Sequence, residues 1–425
     1  MKKIFFLLCS SFFIFHLTAQ ESYRFTLEEC LQYAFANSYD RQSMKLAEES
    51  RKASYDQSKL ERLPNLNGLL SEGFSNGKDG SSWSGSARLS AGMTLYNGGS
   101  INSSIETARL QSDLAQQQTS QYDNSQTIQI LQAFLNALGN EEMLSTRQEL
   151  FAATEEQLRQ GEAMFRAGSI IESDLLLLRA QRATEYSTIV NTRVARDNSL
   201  LALKNLLSMS PEATLEIVYP NDVDPSDFLL PPQDEVLGAA MQYLPEMRAN
   251  ELNVLIAEEN IRQAKSGFLP TLSLSASAST GHNDFNNFGT QLDNGFGQSV
   301  NVSLSIPIFN RGQNRLALAQ SKISADRAKL DAAQSELDIQ QMVIVQYQNV
   351  LSLYEQYQAS DVSRDANLQS YSAYRAKFEQ GSITAVTLLQ QQNSYLSALN
   401  NYVQSKYGFI LNQKVLDVYM GKKIN

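Results

Sequence analysis

The fold is decided by residues 313–380, which read QNRLALAQSKISADRAKLDAAQSELDIQQMVIVQYQNVLSLYEQYQASDVSRDANLQSYSAYRAKFEQ and contain neither glycine nor proline. A helix over this stretch would be about 100 Å long, since each helical residue adds about 1.5 Å. Apolar residues spaced by seven predict that the helix packs in a coiled coil. This heptad stripe comprises Leu316, Ile323, Leu330, Leu337, Ile344 and Leu351.

The chain contains an internal duplication. The segment Leu-Pro-Asn-Leu at 63–66 returns as Leu-Pro-Thr-Leu at 269–272, an offset of 206 positions. Further on, Phe-Arg-Ala-Gly-Ser-Ile at 165–170 returns as Phe-Glu-Gln-Gly-Ser-Ile at 378–383, an offset of 213. Two constant offsets indicate one duplicated unit with a single insertion of seven residues, which must lie between Leu272 and Ile308. We predict repeat one over 20–215, a linker over 216–233 and repeat two over 234–425.

Each repeat is predicted to begin with a helix, over residues 27–62 in the first copy and 234–267 in the second. Thr26 and Glu29 have the spacing of a capping box at the first helix start. A Leu-Pro pair ends each helix, because the residue before proline is pushed toward extended conformations. Pro245 should kink the second copy or mark its true start.

A long helix pair is predicted to close each repeat. In the first copy, residues 100–167 carry Gly139 and Gly161, which should interrupt the long helix. Gly168 and Gly381 should end the two long helices in the left-handed conformation. Return helices follow from each turn, over about 172–209 and 384–420.

Between the helices, four segments alternate apolar and small polar residues, which is typical of β-strands. They are about ten residues long, the length that crosses a bilayer when tilted, although a soluble β-sandwich is the alternative. Alternation would turn Leu89, Ala91, Val302 and Leu304 toward lipid and serines such as Ser90 and Ser303 toward a wet lumen. Four strands cannot close a membrane barrel, so the strands require an oligomer, with twelve strands from three copies or eight from two.

The N-terminal segment, the scarcity of cysteine and histidine, and the net charge disfavour several classes of function. Residues 1–19 have the basic, apolar and small-residue parts of a secretory signal peptide, after whose removal Cys30 and His282 are the only cysteine and histidine. A histidine-based triad or a Cys/His zinc site is therefore disfavoured, and we expect no enzyme activity, metal or cofactor. His282 is expected in a loop. A formal charge of −10 disfavours nucleic acid as a partner.

In the order and duplication of its motifs, the mature chain resembles the TolC-like outer membrane efflux protein family. The resemblance implies an α+β membrane protein: a homotrimer whose twelve-stranded β-barrel in the outer membrane continues as an α-helical coiled-coil barrel in the periplasm. It further implies a passive exit duct for efflux or type I secretion, with a periplasmic adaptor and a proton-driven or ATP-driven inner-membrane pump as partners. The motifs are Leu27–Ala34, Leu63–Pro64, Leu95–Gly99 and the turns at 165–170 and 378–383.

The resemblance also assigns residues at the periplasmic end. The adaptor-docking helix tips of the family match Ala167, Gly168 and Ser169 in repeat one and Gln380, Gly381 and Ser382 in repeat two. Acidic residues that ring the family's entrance match the uncharged Thr387 and Gln390. A tip aspartate matches Asp174, which equally suits a helix N-terminus, whereas the family's arginine and tyrosine fall on Ile383 and Phe378. Those two residues would form an apolar constriction instead.

The strand connections and an alternative function complete the expectations from the sequence. Residues 281–297 are rich in Asn, Gly and Phe and are expected to form the longer external loop, opposite a short one at 76–82. A structural coiled-coil envelope protein without channel activity is the alternative function. Neither the cargo nor the pump can be read from the residues.

Overall fold

The computed structural model describes residues 22–78, 80–218, 228–283 and 286–424. The predicted signal peptide and much of the predicted linker lie outside these ranges. The helices are α1 Leu27–Asn37, α2 Tyr39–Leu60, α3 Ser100–Arg166, α4 Glu172–Leu206, α5 Gln233–Tyr243, α6 Pro245–Ser266, α7 Phe288–Asn294, α8 Gln313–Glu379 and α9 Ala385–Tyr419. The strands are β1 Ser22–Phe25, β2 Asn65–Gly77, β3 Gly80–Asn97, β4 Thr214–Ile217, β5 Thr271–His282 and β6 Gly297–Ser305.

The first helix of each repeat is broken in two. Thr26 and Glu29 form the predicted capping box at the start of α1. Ser38 then ends α1 and caps α2 by accepting a hydrogen bond from the Arg41 backbone; an unbroken helix over 27–62 was therefore the wrong expectation. In repeat two, Leu244 takes the same extended conformation and Pro245 begins α6, as predicted.

The two long helices, α3 and α8, are both continuous over 67 residues. Gly139 and Gly161 do not interrupt α3, which corrects the expectation from sequence. Both glycines instead allow close packing, because a Cβ at Gly139 would press on the Tyr407 ring and one at Gly161 would overlap Leu178. Their cost to the helix is offset by these contacts with α9 and α4. In the described ranges, no helix has both the length and the hydropathy to cross a membrane.

A four-stranded antiparallel sheet has the order β2-β3-β5-β6, so the hairpins of the two repeats lie side by side. The chain enters and leaves this sheet through long helices at one end only: α2 and α6 lead into β2 and β5, and β3 and β6 lead to α3 and α8. The hairpin connections lie at the opposite end. The sheet therefore has a helical end and a free end, and the outer sides of its edge strands β2 and β6 have no partner strand in the described chain.

A second sheet was not predicted. β1 pairs in parallel with β4, so the first described residues of the chain lie beside the end of repeat one. β4 includes residues 216 and 217, which the sequence placed in the linker. This pair borders the main hydrophobic core, where α1 and α5 meet the middle of α3, α8 and α9. Fully buried residues there include Cys30, Phe134, Leu138, Val350, Phe409 and Leu416.

Candidate functional site

The four-stranded sheet has two chemically different faces, which the strand register defines. Leu89 and Ala91 lie opposite Ala278 and Ala276, and Val302 and Leu304 lie opposite Leu274 and Leu272. The four positions predicted from alternation therefore share one apolar face. The alternation fails in one place, because an irregularity between Thr94 and Tyr96 puts Tyr96, and not Leu95, beside Leu272.

The opposite face is small and polar. Serine side chains pair across neighbouring strands, with hydroxyl distances of 2.8 Å for Ser71 and Ser86 and 3.0 Å for Ser277 and Ser299. Arg88 is the one charged residue on this face among the strand positions described. Such a surface matches a water-filled lumen, since hydroxyl groups exchange hydrogen bonds readily with water.

The apolar face has the height of a membrane barrel. On β3 it runs from Tyr96 to Ala87, which is ten residues or nine steps along the strand. At about 3.3 Å per residue this is about 30 Å, or about 23 Å along the membrane normal for a strand tilted by about 40°. Membrane barrels carry an apolar band about 25 Å tall. Beyond the band, toward the free end of the sheet, Phe74 and Trp83 contact each other with ring centroids 5.1 Å apart.

A buried histidine paired with an exposed glutamate lies between the apolar band and these aromatic rings. His282 is the last residue of β5, and its Nε2 lies 2.7 Å from Glu72 Oε1 on β2. The two side chains meet across β3 because the intervening residue is Gly85, where a Cβ would overlap both of them. The His282 side chain is only 3% exposed. The expectation of a loop histidine was therefore wrong, because the sequence does not show that Glu72 and Gly85 lie beside it.

The connection between β5 and β6 is the longer one, as predicted, but it contains the helix α7. This helix covers the free end of the apolar face. The Phe288 ring lies edge-on to His282 at 4.8 Å, Thr280 Oγ1 donates to the Leu292 carbonyl oxygen, and the Gln291 amide oxygen accepts from the Asn283 backbone at 2.8 Å. Only two residues separate β2 from β3, so the two repeats differ most at this end.

At the other end of the molecule, α3 and α8 end in matching turns. Gly168 and Gly381 adopt the predicted left-handed conformation, with φ values of 73° and 70°. The Ser169 amide donates to the Met164 carbonyl oxygen at 2.8 Å, and the Ser382 amide donates to that of Lys377 at 2.9 Å. The six tip positions predicted for adaptor docking are all exposed: Ala167, Gly168, Ser169, Gln380, Gly381 and Ser382.

The five predicted entrance residues have different surroundings. Gln390 is exposed and Thr387 is half-buried, with its backbone amide donating to the Thr384 hydroxyl at the start of α9. Asp174 lies in the first turn of α4 and is buried. Phe378 is fully buried and packs with the partly buried Ile383 in the hydrophobic core of the tips. Phe378 is therefore a core residue, which corrects its expected place on an apolar constriction.

Above this apolar core, two buried hydrogen bonds join the repeats. Gln157 Nε2 on α3 donates to the Tyr371 hydroxyl on α8 at 2.6 Å, and Gln392 Nε2 on α9 donates to Thr154 Oγ1 on α3 at 2.9 Å. Burial raises the pKa of Tyr371, so this hydroxyl stays protonated at neutral pH. These residues could not be predicted from the sequence, because a glutamine or threonine on a long polar helix gives no sign that it will be buried.

Exposed ion pairs fasten α3 to α4 near the tips. Arg179 lies 3.0 Å from Glu162, and Arg182 lies 2.9 Å from Glu155. Exposed pairs of this kind contribute little each. Across the described chain, no group of three His, Cys, Asp or Glu side chains is placed to hold a metal ion.

Comparison with known proteins identifies this combination of sheet and helices. The family model described as "Outer membrane efflux protein" matches residues 30–208 and 236–422. Outer membrane protein TolC of Escherichia coli (strain K12) is 25% identical over 366 residues, which are 83% of this chain and 73% of that protein. Alkaline protease secretion protein AprF of Pseudomonas aeruginosa is 23% identical over 69% of this chain and 61% of its own length. A crystal structure of CusC superposes with a TM-score of 0.82 at 19% identity, covering 93% of this chain and 92% of that one.

Proposed function

The chain belongs to the outer membrane efflux protein family, and from this premise we propose that three copies form one continuous exit duct. As a family member it sits in the cell outer membrane and extends into the periplasm. In the proposed trimer, each copy contributes four strands to a twelve-stranded barrel and its long helices to a periplasmic tube. The duct is passive, and its cargo is small molecules or proteins.

The observation that carries the trimer is the open sheet. Both edge strands, β2 and β6, expose backbone groups that find no water inside a membrane. Since β6 of one copy and β2 of the next would run antiparallel, repetition closes the sheet without changing its pattern. A barrel of two copies would have eight strands, and one of three copies would have twelve.

Cysteine cross-linking between edge strands tests this assembly. In a Cys30→Ser background, Ser71→Cys on β2 is combined in turn with Ser299→Cys, Asn301→Cys or Ser303→Cys on β6. Oxidation should give covalent dimers and trimers and nothing larger, because three copies close the ring. The matched control is Ser90→Cys on the interior strand β3 with the same β6 cysteines, which should stay monomeric. A ladder that stops at dimers, or no ladder in any combination, would contradict the trimer.

The tips are the proposed docking site for a periplasmic adaptor, which would connect the duct to an inner-membrane pump. Six exposed residues form two turns with similar glycine φ values, at 167–169 and 380–382. Two equivalent turns per copy would present six sites around a trimer. Substituting Gly381 by Val should distort the turn, because valine does not tolerate a φ of 70°. Co-purification of the adaptor should fall while trimer assembly is unchanged.

At the entrance, we propose that uncharged residues line the constriction. Thr387 and Gln390 carry no charge where acidic rings would attract cations. The channel in a planar bilayer should then be weakly blocked by multivalent cations added from the periplasmic side. Thr387→Asp combined with Gln390→Asp should install such a block. Strong block of the unmodified channel would mean that another acidic ring, such as one formed by Asp174, lines the pore.

A structural coiled-coil protein without channel activity remains the second candidate. The heptad stripe on α8 favours it, since such stripes also occur in structural coiled coils. Conductance of the purified protein in a planar bilayer separates the two candidates. Discrete, stable conductance steps support the duct, and an oligomer that conducts no ions supports the structural protein.

A further inference from the structure

A cavity lies at the free end of the sheet, between the apolar face and α7. Its volume is about 420 Å³, which is within the range of ligand-binding cavities. Leu70 on β2, Ala87 on β3 and Thr280 on β5 form its floor, and Phe288 and Leu292 of α7 form its wall. Glu72 and His282 close its outer end. Ser71 and Ser86 complete the lining. The wall is thus mainly apolar, and the two ionisable groups of the lining lie together at one end.

The place of the cavity relative to the membrane follows from the topology. The helices join the sheet at the opposite end, so this end faces outward in the proposed duct. Leu70, Ala87 and Thr280 are neighbours in one row across three strands, at the top of the apolar band. Glu72 and His282 lie one row further out, and the exposed rings of Phe74 and Trp83 follow. The cavity therefore spans the boundary between hydrocarbon and head groups.

The polar end has an acceptor that is available to a ligand. The Glu72 side chain is 54% exposed, whereas that of His282 is 3% exposed. His282 Nε2 occupies one carboxylate oxygen of Glu72 at 2.7 Å, and a carboxylate can accept several hydrogen bonds. A molecule with an apolar chain and hydrogen-bond donors at one end would match this arrangement.

We propose that the cavity holds one acyl chain of an outer-membrane lipid, with ammonium or hydroxyl groups of its head group donating to Glu72. This proposal rests on the proposed function, which turns the apolar face toward the membrane. The apolar floor continues without a break into the lipid-facing positions Leu89 and Ala91. An acyl chain can therefore enter from the bilayer without crossing a polar surface. Helix α7 then covers the bound acyl chain on the side away from the sheet.

Trp83, the only tryptophan of the protein, reports on the cavity because it lies on the same face, two residues from Gly85. The protein is purified in detergent and titrated separately with phosphatidylethanolamine and with lipid A, each brominated on the acyl carbons nearest the head group, which would lie closest to Trp83. Bromine quenches tryptophan on contact, so binding should quench Trp83 and saturate at about one lipid per chain. Saturation with either lipid supports the site, and comparison of the two identifies its natural source. No saturable quenching by either lipid overturns it.

A matched pair of variants tests whether the cavity is responsible. Ala87→Phe fills the floor, and the apparent affinity should fall by about tenfold or more. Ala91→Phe, on the same strand and face but four residues nearer the helices, should bind like the unmodified protein. Equal quenching of both variants would contradict the site.

A second pair of variants tests the same cavity from another strand, in case Ala87→Phe does not fold. Leu70→Trp and Leu66→Trp lie on the exposed edge strand β2, and native mass spectrometry counts their bound lipids. Only Leu70→Trp should lose the lipid, and equal retention in both variants contradicts the site. Cross-linking of the edge strands is measured on the same two variants after the edge-strand cysteines have been added to each. An assembled trimer without lipid contradicts the lipid site alone, whereas failure to assemble contradicts the proposed duct.

Discussion

Apart from α7, the helices of the two repeats have the same lengths, but the long helices differ in how much they bury. The short helix pairs are 11 and 22 residues long in both copies, and the long pairs are 67 and 35 residues. Element starts differ by 206 positions before the sheet (233 minus 27) and by 213 after it (313 minus 100). The difference of seven confirms the predicted insertion between β5 and β6. Yet α3 buries many side chains, whereas α8 buries few.

Equivalent positions show what this difference means. Leu110 on α3 is 3% exposed, but Ile323, at the same place in α8, is 67% exposed. Leu138 and Leu351 form a second such pair, with 1% and 42% of their surface exposed. The first copy thus uses its apolar stripe inside the chain, while the second copy leaves its stripe open. An exposed apolar stripe of this length indicates a partner outside the chain, which in the proposed duct is a neighbouring copy.

The largest expected effect separates these equivalent positions. Leu110→Ala removes a buried side chain and should lower the free energy of unfolding by about 2–5 kcal/mol. Ile323→Ala removes an exposed one, so the unfolding of a single chain should hardly change, while the trimer should dissociate more easily. Denaturant unfolding of dispersed chains measures the first effect, and the detergent resistance of the trimer measures the second.

Joint substitution sharpens this test. Ile323→Asp with Leu330→Asp places charge in the stripe and should abolish assembly, since both residues are exposed in one chain. A trimer as stable as the unmodified one would show that the stripe faces solvent or lumen, and would end the interpretation of α8 as an interface helix.

In the sheet, by contrast, the repeats should behave alike. Leu89 and Val302 occupy equivalent positions, 213 residues apart, and share the apolar face. Arginine at either position should cost about 2–4 kcal/mol near the bilayer midplane. Arginine at the neighbouring Ser90 or Ser303 should be tolerated, because these face the polar side. Yield of heat-resistant trimer in outer membranes measures the difference, and equal loss from both sets would reverse the orientation of the sheet.

The features that were predicted correctly from the sequence are those set by patterns that repeat along the chain. Period-two alternation identified the apolar face at Leu89 and Val302, and the absence of breakers identified α8 to within one residue at its C-terminal end. Left-handed glycines after the long helices followed from local chemistry, as at Gly168 and Gly381. These signals are local, so they need no knowledge of which segments meet.

What the sequence failed to predict depends on distant contacts. Glu72 and His282 are 210 positions apart and meet only because two hairpins lie side by side. Gly139 was expected to interrupt α3, whereas its missing side chain allows the Tyr407 ring to pack closely against the helix. Phe378 looked like a pore residue at the end of a helix, but neighbouring helices bury it completely. In each case tertiary packing overrides the local signal.

A smaller effect is expected where the repeats are joined at the tips. Repeat one has Leu158 at the position of Tyr371, so the hydrogen bond from Gln157 exists on one side only. Tyr371→Phe leaves the buried Gln157 amide without its acceptor and should cost about 1–3 kcal/mol. Adding Gln157→Leu removes the unpaired group and should recover much of that loss. Failure of the double variant to recover would mean that the Tyr371 hydroxyl has another role.

The smallest effect concerns the helix starts of the two repeats. Thr26 and Glu29 form a capping box, with the Thr26 amide donating to the Glu29 carboxylate at 2.7 Å. Pro232 stands at the position of Thr26 and provides no side-chain cap, although Glu235 stands at that of Glu29. Thr26→Ala should destabilise α1 by about 1 kcal/mol, and Pro232→Thr should complete a box on α5. Hydrogen exchange of the first-turn amides measures both changes.

The stability that this capping box gives to α1 should decrease as the pH is lowered. Hydrogen bonds from the Thr26 backbone and hydroxyl lower the pKa of Glu29 below its ordinary value. The cap's contribution is therefore complete above the unfolded pKa of about 4.3 and is lost as the pH falls through the lower, folded pKa. Protection of the α1 amides should weaken in that acidic window in the unmodified protein and change less in Thr26→Ala. Protection that weakens equally in both proteins would assign the acid sensitivity of α1 to a group other than Glu29.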